Sequence, residues 1–354
     1  MDDESRQTHL RAGDFIVAWL RERERQGGRS VYLRNYERLP DDIGNDVDLL
    51  IERGSTADWI ESAKETAPRF GWHFLRAVPF GCTSLFFFRP DADEILHVDL
   101  NERIEWHCVP FADEAAILSR RRWNGTVFVP APEDELFLNI ATRLIYQGAV
   151  REKHRAQWNE LRPKCSTDGL GTAFSHLGTS LGRRIVAAAD EGNWASVEAL
   201  QGPVRRHLLR QAVLRHSGRF VAGAFRYVTR TVRRLASPPG FVFSFAFDPS
   251  VEPHAETALR LAAPRLAKWG NLSECRFEHD HRPLHGWSRR KFLARNGVIA
   301  RLVPAQKTDS AASLSGSLIR IPAPGGPETP ESVAEHMVRA AREHMIAGRE
   351  ENHR

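Results

Sequence analysis

Cysteine is scarce in this chain of 354 residues. Its four cysteines, Cys82, Cys108, Cys165 and Cys275, lack CxxC spacing, which argues against a zinc ribbon and against a disulfide framework. Scattered free thiols are typical of a reducing compartment, so we expect a cytoplasmic protein. Residues 1–14 are acidic and polar and lack the apolar core of a signal peptide, which agrees with that expectation.

Long hydrophobic runs and lysine are also rare. The longest uncharged apolar run, residues 240–247, is far shorter than the ~20 residues that a membrane-spanning helix needs. We therefore expect a protein that is soluble or lies at a membrane surface. Only six of the 50 basic residues are lysine, so arginine carries the net charge of +5. This excess reflects either a general preference for arginine or a phosphate-rich partner, since guanidinium groups pair well with phosphate.

Hydrophobic periodicity predicts alternating helices and strands over the first third of the chain. Apolar residues at helical spacing predict a helix over residues 7–26. Ser55 and Asp58 stand at capping-box spacing and predict a second helix, to about residue 67. Apolar runs predict strands over residues 30–36, 46–51, 72–78, 83–89 and 94–100. The pattern is that of a mixed sheet with helices.

The rest of the chain is expected to form two further parts. After VFVPAPEDE, residues 127–135, the pattern becomes helical and largely stays so to about residue 236, where the sequence SPPG marks a boundary. A buried strand is predicted directly after it, then a strand over residues 317–324 and a helix over residues 329–345 with Thr329 as its cap. We expect domains at residues 1–126, 127–236 and 237–354.

Two aspartates, Asp46 and Asp48, stand at the head of an apolar run in the sequence DDIGNDVDLLIERG. Side chains two apart on a strand point to the same face, so these carboxylates are expected to project together. Asp99 lies in a second apolar strand, where an acid is costly without a partner. Three converging carboxylates would hold two Mg²⁺ ions, whereas the alternative is a solvated acidic turn at a strand end.

These acids resemble the signature of the nucleotidyltransferase superfamily of the DNA polymerase β type, a strand h-D-h-D/E-h (h, apolar) followed by a lone aspartate on another strand. NDVDLL, residues 45–50, matches the paired acids, and VDL, residues 98–100, matches the lone one. The resemblance implies an α+β nucleotidyltransferase-like domain in which Asp46, Asp48 and Asp99 bind Mg²⁺ or Mn²⁺ and Asp99 assists the attacking group. A nucleoside triphosphate would be the substrate, with a small or glycan-related acceptor.

The chain departs from that family at the Gly-Ser turn before the acids. It has LRNYERLP, residues 33–40, where the family's turn lets backbone N–H groups approach a triphosphate. Either Arg34 and Arg38 bind phosphate as charged forks instead, or triphosphate binding is lost. In the second case the chain would be a non-catalytic binding or scaffold protein.

The order of parts resembles a group of bacterial proteins that couple a nucleotidyltransferase-like domain to a thymidylate-kinase-like P-loop domain. In that group the strand after PPG leads into the phosphate loop G-x-x-x-x-G-K-[ST]. The corresponding stretch here, FAFDPSVEPHAETAL, residues 245–259, has no Gly-Lys-Ser/Thr. Because the glycines and the lysine that hold the phosphates are missing, we expect a degenerate P-loop-like α/β domain without kinase activity.

Acidic residues are missing from Ala199 to Phe247, whereas nine arginines fall between Arg205 and Arg234. Apolar residues recur among them at helical spacing. The favoured interpretation is a helical linker with a solvated arginine face, and the alternative is peripheral membrane contact through residues 205–235. Nucleic acid is disfavoured, because no aromatic stacking platform accompanies the arginines.

A histidine-rich segment, EHDHRPLHGW, brings together His279, Asp280, His281 and His285. These side chains suit a transition metal, but their spacing is not a recognised zinc pattern. Loop histidines without a metal are the favoured interpretation.

Overall fold

The computed structural model describes residues 11–44, 47–79, 81–90, 94–215, 217–236, 240–247, 252–267, 275–278, 286–295, 297–303, 318–321 and 329–352. The chain divides into two compact units, residues 1–228 and 229–354, each containing helices and a sheet. The expected mixture of α and β structure is therefore present. Within the described ranges, no helix is long and apolar enough to cross a membrane.

The first unit contains a five-stranded sheet with the strand order β1-β2-β5-β4-β3. Its strands are β1 (Ser30–Tyr32), β2 (Val47–Ile51), β3 (His73–Pro79), β4 (Thr83–Arg89) and β5 (Glu94–Asn101). β2 and β5 are parallel, whereas the other neighbouring pairs are antiparallel. The five predicted strands are confirmed, although β1 ends at Tyr32 instead of continuing to residue 36.

Helices surround this sheet and form most of the rest of the unit. They are α1 (Ala12–Arg25), α2 (Thr56–Thr66), α3 (Glu114–Arg120), α4 (Pro132–Gln147), α5 (Glu152–Leu161), α6 (Thr167–Phe174), α7 (Thr179–Asp190), α8 (Trp194–Ala199) and α9 (Gln201–Arg215). α10 (Ser217–Ala236) crosses the division between the units. Two short strand pairs also occur, β6 (Glu105–Trp106) with β7 (Val109–Pro110) and β8 (Arg122–Trp123) with β9 (Phe128–Val129). The predicted helical stretch is confirmed.

The two faces of the sheet meet different helices, because successive side chains of a strand alternate between faces. Leu49 of β2 packs with Trp19 of α1 and Trp59 of α2 in one buried core. Leu50, from the other face, belongs to a second core with Leu136 of α4. The sheet is therefore covered by α1 and α2 on one side and faces α4 on the other.

Residues 33–44 connect β1 to β2 and are held against α1 and α4. A methyl group at Gly13 of α1 would overlap the carbonyl oxygen of Pro40, so this close approach requires glycine. The Tyr36 hydroxyl donates a 2.5 Å hydrogen bond to Oε2 of Glu135 in α4. Burial raises the pKa of the Tyr36 hydroxyl and that of the Glu135 carboxyl. This segment, which carries Arg34 and Arg38, is thus anchored at two points.

The expected capping box at Ser55 is wrong. Ser55 has helical rather than extended backbone angles, and its hydroxyl donates to the carbonyl oxygen of Glu52 at 2.6 Å. Oε1 of Glu102, just after β5, instead accepts hydrogen bonds from the backbone N–H and the hydroxyl of Thr56 at 3.2 and 2.5 Å. A carboxylate from a distant part of the chain thus satisfies the start of α2 and complements its dipole.

The second unit contains a four-stranded parallel sheet with the order β11-β12-β10-β13. Its strands are β10 (Phe241–Phe247), β11 (Cys275–Glu278), β12 (Val298–Val303) and β13 (Leu318–Ile321), and its helices are α11 (Glu252–Ala267), α12 (Gly286–Ala294) and α13 (Pro330–Asn352). β10, β13 and α13 agree with the prediction, and Thr329 caps α13 by accepting from the N–H of Ser332 at 3.3 Å. β11 and β12 were not predicted, because Arg276 and Arg301 interrupt their apolar runs. His279, Asp280, His281 and His285 lie outside the described residues.

Candidate functional site

Asp48 of β2 and Asp99 of β5 are paired in register on neighbouring parallel strands. Residues paired in this way point to the same face of the sheet, and neighbouring strands lie about 4.8 Å apart. Ser84 of β4 pairs with Asp99 from the opposite side. A polar row of Ser84, Asp99 and Asp48 therefore crosses three strands on the face that is directed toward α4.

Positive and hydrogen-bonding groups balance these two acids. Arg34 donates a hydrogen bond from Nε to Oδ2 of Asp48. Oδ1 of Asp99 accepts a 2.5 Å hydrogen bond from the Ser84 hydroxyl and lies 3.0 Å from Nε2 of His97. Burial acts to raise the pKa of Asp99, but the contacts with His97, Ser84 and Cys82 outweigh it and hold this pKa below its usual value. Asp99 is therefore ionised at neutral pH.

The third predicted acid, Asp46, lies outside the described residues. Among the residues that are described, no group of three or more His, Cys, Asp or Glu side chains is placed to hold a metal ion. The structure nevertheless brings Asp48 and Asp99 together, and carboxylate oxygens are the donors that Mg²⁺ and Mn²⁺ prefer. The chemistry of this pair fits a hard divalent cation.

The two arginines predicted to bind phosphate have different surroundings. Arg34 lines a cavity and contacts Asp48. The Arg38 side chain is exposed, with Nη1 3.7 Å from Oδ2 of Asp42, and does not line that cavity. Of the two, only Arg34 is placed beside the acids.

The cavity at Asp48 has a volume of about 220 Å³ and lies between the sheet and α4. Its lining from the sheet side includes Arg34, Asp48, Asn101 and Arg103, and its lining from α4 includes Leu138, Asn139, Thr142, Arg143 and Tyr146. Guanidinium groups are the side chains best suited to bind phosphate and carboxylate groups. Glu105 also lines the cavity, where it contacts Arg103 as Asp48 contacts Arg34. The groups able to bind an anionic ligand here are Arg34, Arg103 and Arg143.

Arg143 is held in place by His154. Its Nε donates a 3.0 Å hydrogen bond to Nε2 of His154. Burial, followed by the charges of Arg143 and other basic residues, lowers the pKa of His154 to about 4. The imidazole is therefore neutral at pH 7 and accepts this hydrogen bond, which fixes the guanidinium group at the cavity wall.

The α4 side of the cavity was missed in the sequence analysis. Asn139, Thr142, Arg143 and Tyr146 follow each other at i, i+3, i+4 and i+7, so they share one face of the helix. That spacing was the sequence feature from which a polar face of α4 could have been predicted. A polar helical stripe normally indicates a solvent-facing surface, and only the position of the sheet opposite α4 makes it the wall of a cavity.

A larger cavity of about 680 Å³ adjoins the first one. Arg103, Glu105 and Phe111 line both cavities. The larger cavity is also lined by Arg53 and by Glu114, whose carboxylate accepts a 2.7 Å hydrogen bond from Nη2 of Arg53. Two neighbouring spaces of different size therefore share the part of their lining that follows β5.

In the second unit, β10 ends at Phe247 and α11 begins at Glu252. In P-loop proteins the motif G-x-x-x-x-G-K-[ST] joins a strand to a helix and binds phosphate. Residues 248–259 of this chain contain neither glycine nor lysine. The degenerate P-loop-like domain stays a prediction.

Ionised Asp99, its partner Asp48 and a cavity lined by Arg34, Arg103 and Arg143 lie within one unit of the chain. Such an arrangement can bind a hard cation together with the phosphates that the cation neutralises. No protein-family model, curated protein or solved structure matches this chain, so the residues of the site carry the functional assignment alone.

Proposed function

We propose that this protein is a metal-dependent nucleotidyltransferase, which moves a nucleotidyl group from a nucleoside triphosphate to a small or glycan-related acceptor and releases pyrophosphate. The observation that carries the proposal is the in-register pairing of Asp48 and Asp99 beside a cavity lined by three arginines. Asp46, two residues before Asp48 in the sequence, would complete the acidic set.

Each group of the site has a role in this proposal. Bound Mg²⁺ or Mn²⁺ supplies the charge that activates an attacking oxygen and neutralises the phosphates. Asp46, Asp48 and Asp99 would hold the ions. Arg34 would leave Asp48 and pair with a phosphate, because a guanidinium group binds either anion through the same fork. Asp99, kept ionised by His97 and Ser84, would orient the attacking hydroxyl and accept its proton.

The two adjoining cavities support a reaction between two substrates. The smaller cavity, next to Asp48, would hold the phosphates against Arg34 and Arg143. The larger cavity, which shares Arg103 and Glu105 with it, would hold the acceptor. Ligand sites generally have volumes of about 300 to 1,000 Å³, so the smaller cavity alone is below that range and the two together are within it.

A non-catalytic binding or scaffold protein is the second candidate, and the contacts of the acids favour it. Asp48 already contacts Arg34, and Asp99 already contacts Ser84 and His97. A metal ion would have to displace or rearrange these groups. The absence of a Gly-Ser turn before Asp46 points the same way.

Calorimetric titration tests the proposal. Each nucleoside triphosphate, with Mg²⁺ or Mn²⁺, is titrated into the wild-type chain, an Asp46→Asn/Asp48→Asn double variant and an Asp42→Asn control. We expect metal-dependent binding that the double variant loses and the control retains, because Asp42 is exposed and does not line the cavity. If the folded wild type binds none of the triphosphates, the scaffold candidate replaces the enzyme.

Arg34 and Arg38 provide a matched pair for the phosphate site. Arg34→Gln removes a guanidinium group from the cavity and is expected to weaken triphosphate binding by about tenfold or more, the usual cost of losing a hydrogen bond between charged groups. Arg38→Gln removes an exposed guanidinium group from the same segment and is expected to leave the affinity unchanged. Equal losses in the two variants would contradict the placement of the phosphates.

A further inference from the structure

Helix α10 exposes apolar side chains that an amphipathic helix normally buries. Val221, Phe225 and Val228 follow each other at i, i+4 and i+7 and are 64%, 72% and 57% exposed. They share one face of the helix, which we call the apolar stripe. All three belong to the first unit of the chain.

The first unit contacts α10 on a different face from the stripe. Gly223 is buried, and a methyl group there would lie 3.0 Å from the carbonyl oxygen of Cys108. Nη2 of Arg226 lies 3.6 Å from Oε1 of Glu105. On a helix, positions 223 and 226 point away from the face shared by Val221 and Phe225. These contacts, together with Phe220 packed against the core of the first unit, hold α10 to the protein, while its apolar stripe points outward.

Helix α9, which precedes α10, has a related surface. Its large exposed apolar residues are Leu209, Val213 and Leu214. Exposed Arg206, Arg210 and Arg215 are interspersed with them, and no acidic residue occurs from Ala199 to Phe247. The surface of α9 therefore combines apolar side chains with positive charge, and neither α9 nor α10 contains an acidic residue.

We propose that the apolar stripe of α10, with the exposed apolar and arginine side chains of α9, binds the surface of an anionic phospholipid bilayer. Insertion of Val, Leu and Phe side chains at the boundary between headgroups and acyl chains lowers the free energy, and anionic headgroups attract the arginines. An anionic bilayer therefore matches both the apolar and the basic character of this surface.

Two other kinds of partner would each match only the apolar or only the basic character of this surface. Nucleic acid would pair with the arginines, but it would leave the valine and leucine side chains without an apolar partner. A second copy of the chain would cover the stripe, but it would bring two surfaces of the same positive charge together. Charge complementarity therefore favours the lipid surface.

The test is flotation of the full chain with vesicles of phosphatidylcholine alone and of equimolar phosphatidylcholine and phosphatidylglycerol. We expect the protein to float with the anionic vesicles and not with the neutral ones, and to bind more weakly as salt is raised, since salt screens the arginines. Equal flotation with both kinds of vesicle, or none with the anionic ones, would overturn the proposal.

Substitutions distinguish binding through this surface from non-specific adsorption to vesicles. A Val221→Ser/Phe225→Ser double variant is expected to bind anionic vesicles at least about tenfold more weakly, from the apolar area that it no longer inserts. Leu261→Ser in α11 is the control, because Leu261 is 46% exposed and lies outside both helices. An Arg206→Gln/Arg210→Gln/Arg215→Gln variant is expected to lose the preference for anionic vesicles. If it keeps that preference, the assignment of these arginines is wrong.

Two further measurements complete the test. Circular dichroism should be unchanged in each variant, because the substituted side chains are exposed and make little contact with the core. Light scattering over a range of protein concentrations detects self-association. A dimer that the Val221→Ser/Phe225→Ser variant loses, without any vesicle binding by the wild type, would assign the stripe to a second copy instead.

Discussion

Arg34 pairs with Asp48 through a hydrogen bond from Nε to Oδ2, beside the in-register partner Asp99. A side chain of the protein therefore supplies the positive charge that these neighbouring carboxylates need. Arg34 and a divalent cation would compete for the same oxygens, since both stabilise the ionised acids. A metal ion bound through Oδ2 of Asp48 would therefore have to displace Arg34.

Replacing Arg34 with Ala should make the protein respond to metal. We expect Arg34→Ala to lower the free energy of unfolding by about 1 kcal/mol, the scale of a partly exposed ion pair, and Mg²⁺ to restore it. Thermal unfolding with and without Mg²⁺, followed by tryptophan fluorescence, measures this, because seven of the nine tryptophans lie within residues 1–228. An Arg34→Ala/Asp48→Asn variant should not respond, and an equal Mg²⁺ effect on both variants would contradict competition at Asp48.

Tyr36 should stabilise the segment between β1 and β2 through Glu135. Tyr36→Phe removes the hydroxyl that donates to this buried carboxyl at 2.5 Å, and it leaves Oε2 without that donor. The expected loss is about 1–2 kcal/mol in the free energy of unfolding, measured by urea denaturation. A Tyr36→Phe variant as stable as the wild type would show that this hydrogen bond does not stabilise the segment.

His154 should make stability depend on pH. The unfolded chain binds a proton near the ordinary imidazole pKa of 6.5, whereas folded His154 binds it only near pH 4. The contribution of His154 to the free energy of unfolding is therefore complete above about pH 6.5 and is lost as the pH falls toward 4. In urea denaturation, the free energy of unfolding should fall less between pH 7 and pH 5 for His154→Gln than for the wild type. An unchanged dependence in His154→Gln would exclude this group as its source.

Gly13 should be required for the approach of Pro40 to α1. A methyl group there would overlap the Pro40 carbonyl oxygen, so Gly13→Ala is expected to cost about 1–3 kcal/mol in the free energy of unfolding. Gly171 of α6 has nothing within 4 Å of the corresponding position, and Gly171→Ala should be neutral or stabilise by up to about 1 kcal/mol. Urea denaturation of the two variants compares them directly, and a stabilised Gly13→Ala variant would contradict the close contact.

Much of the first sheet was predictable from the sequence. The predicted and observed bounds of β4 are the same, and those of β2, β3 and β5 differ by about one residue at an end. Long apolar runs leave few alternative positions for these strands. β1 was predicted too long, since the chain turns away after Tyr32 and Arg34 enters the cavity. The cap of α2 was assigned to Ser55, whereas Glu102 provides it from beyond β5. Local spacing does not show such a distant partner.

The sequence by itself determined the alternation of helices and strands, the presence of acids in two apolar strands, and the basic, acid-free stretch that becomes α9 and α10. Those features depend on residue type and local spacing. Tertiary structure alone decided that Asp48 and Asp99 are paired, that Arg34 rather than Arg38 lies beside them, and that one face of α4 completes the cavity. It also decided that the apolar stripe of α10 points outward. Strand order, register and helix placement create these relationships, and they depend on packing between residues far apart in the chain.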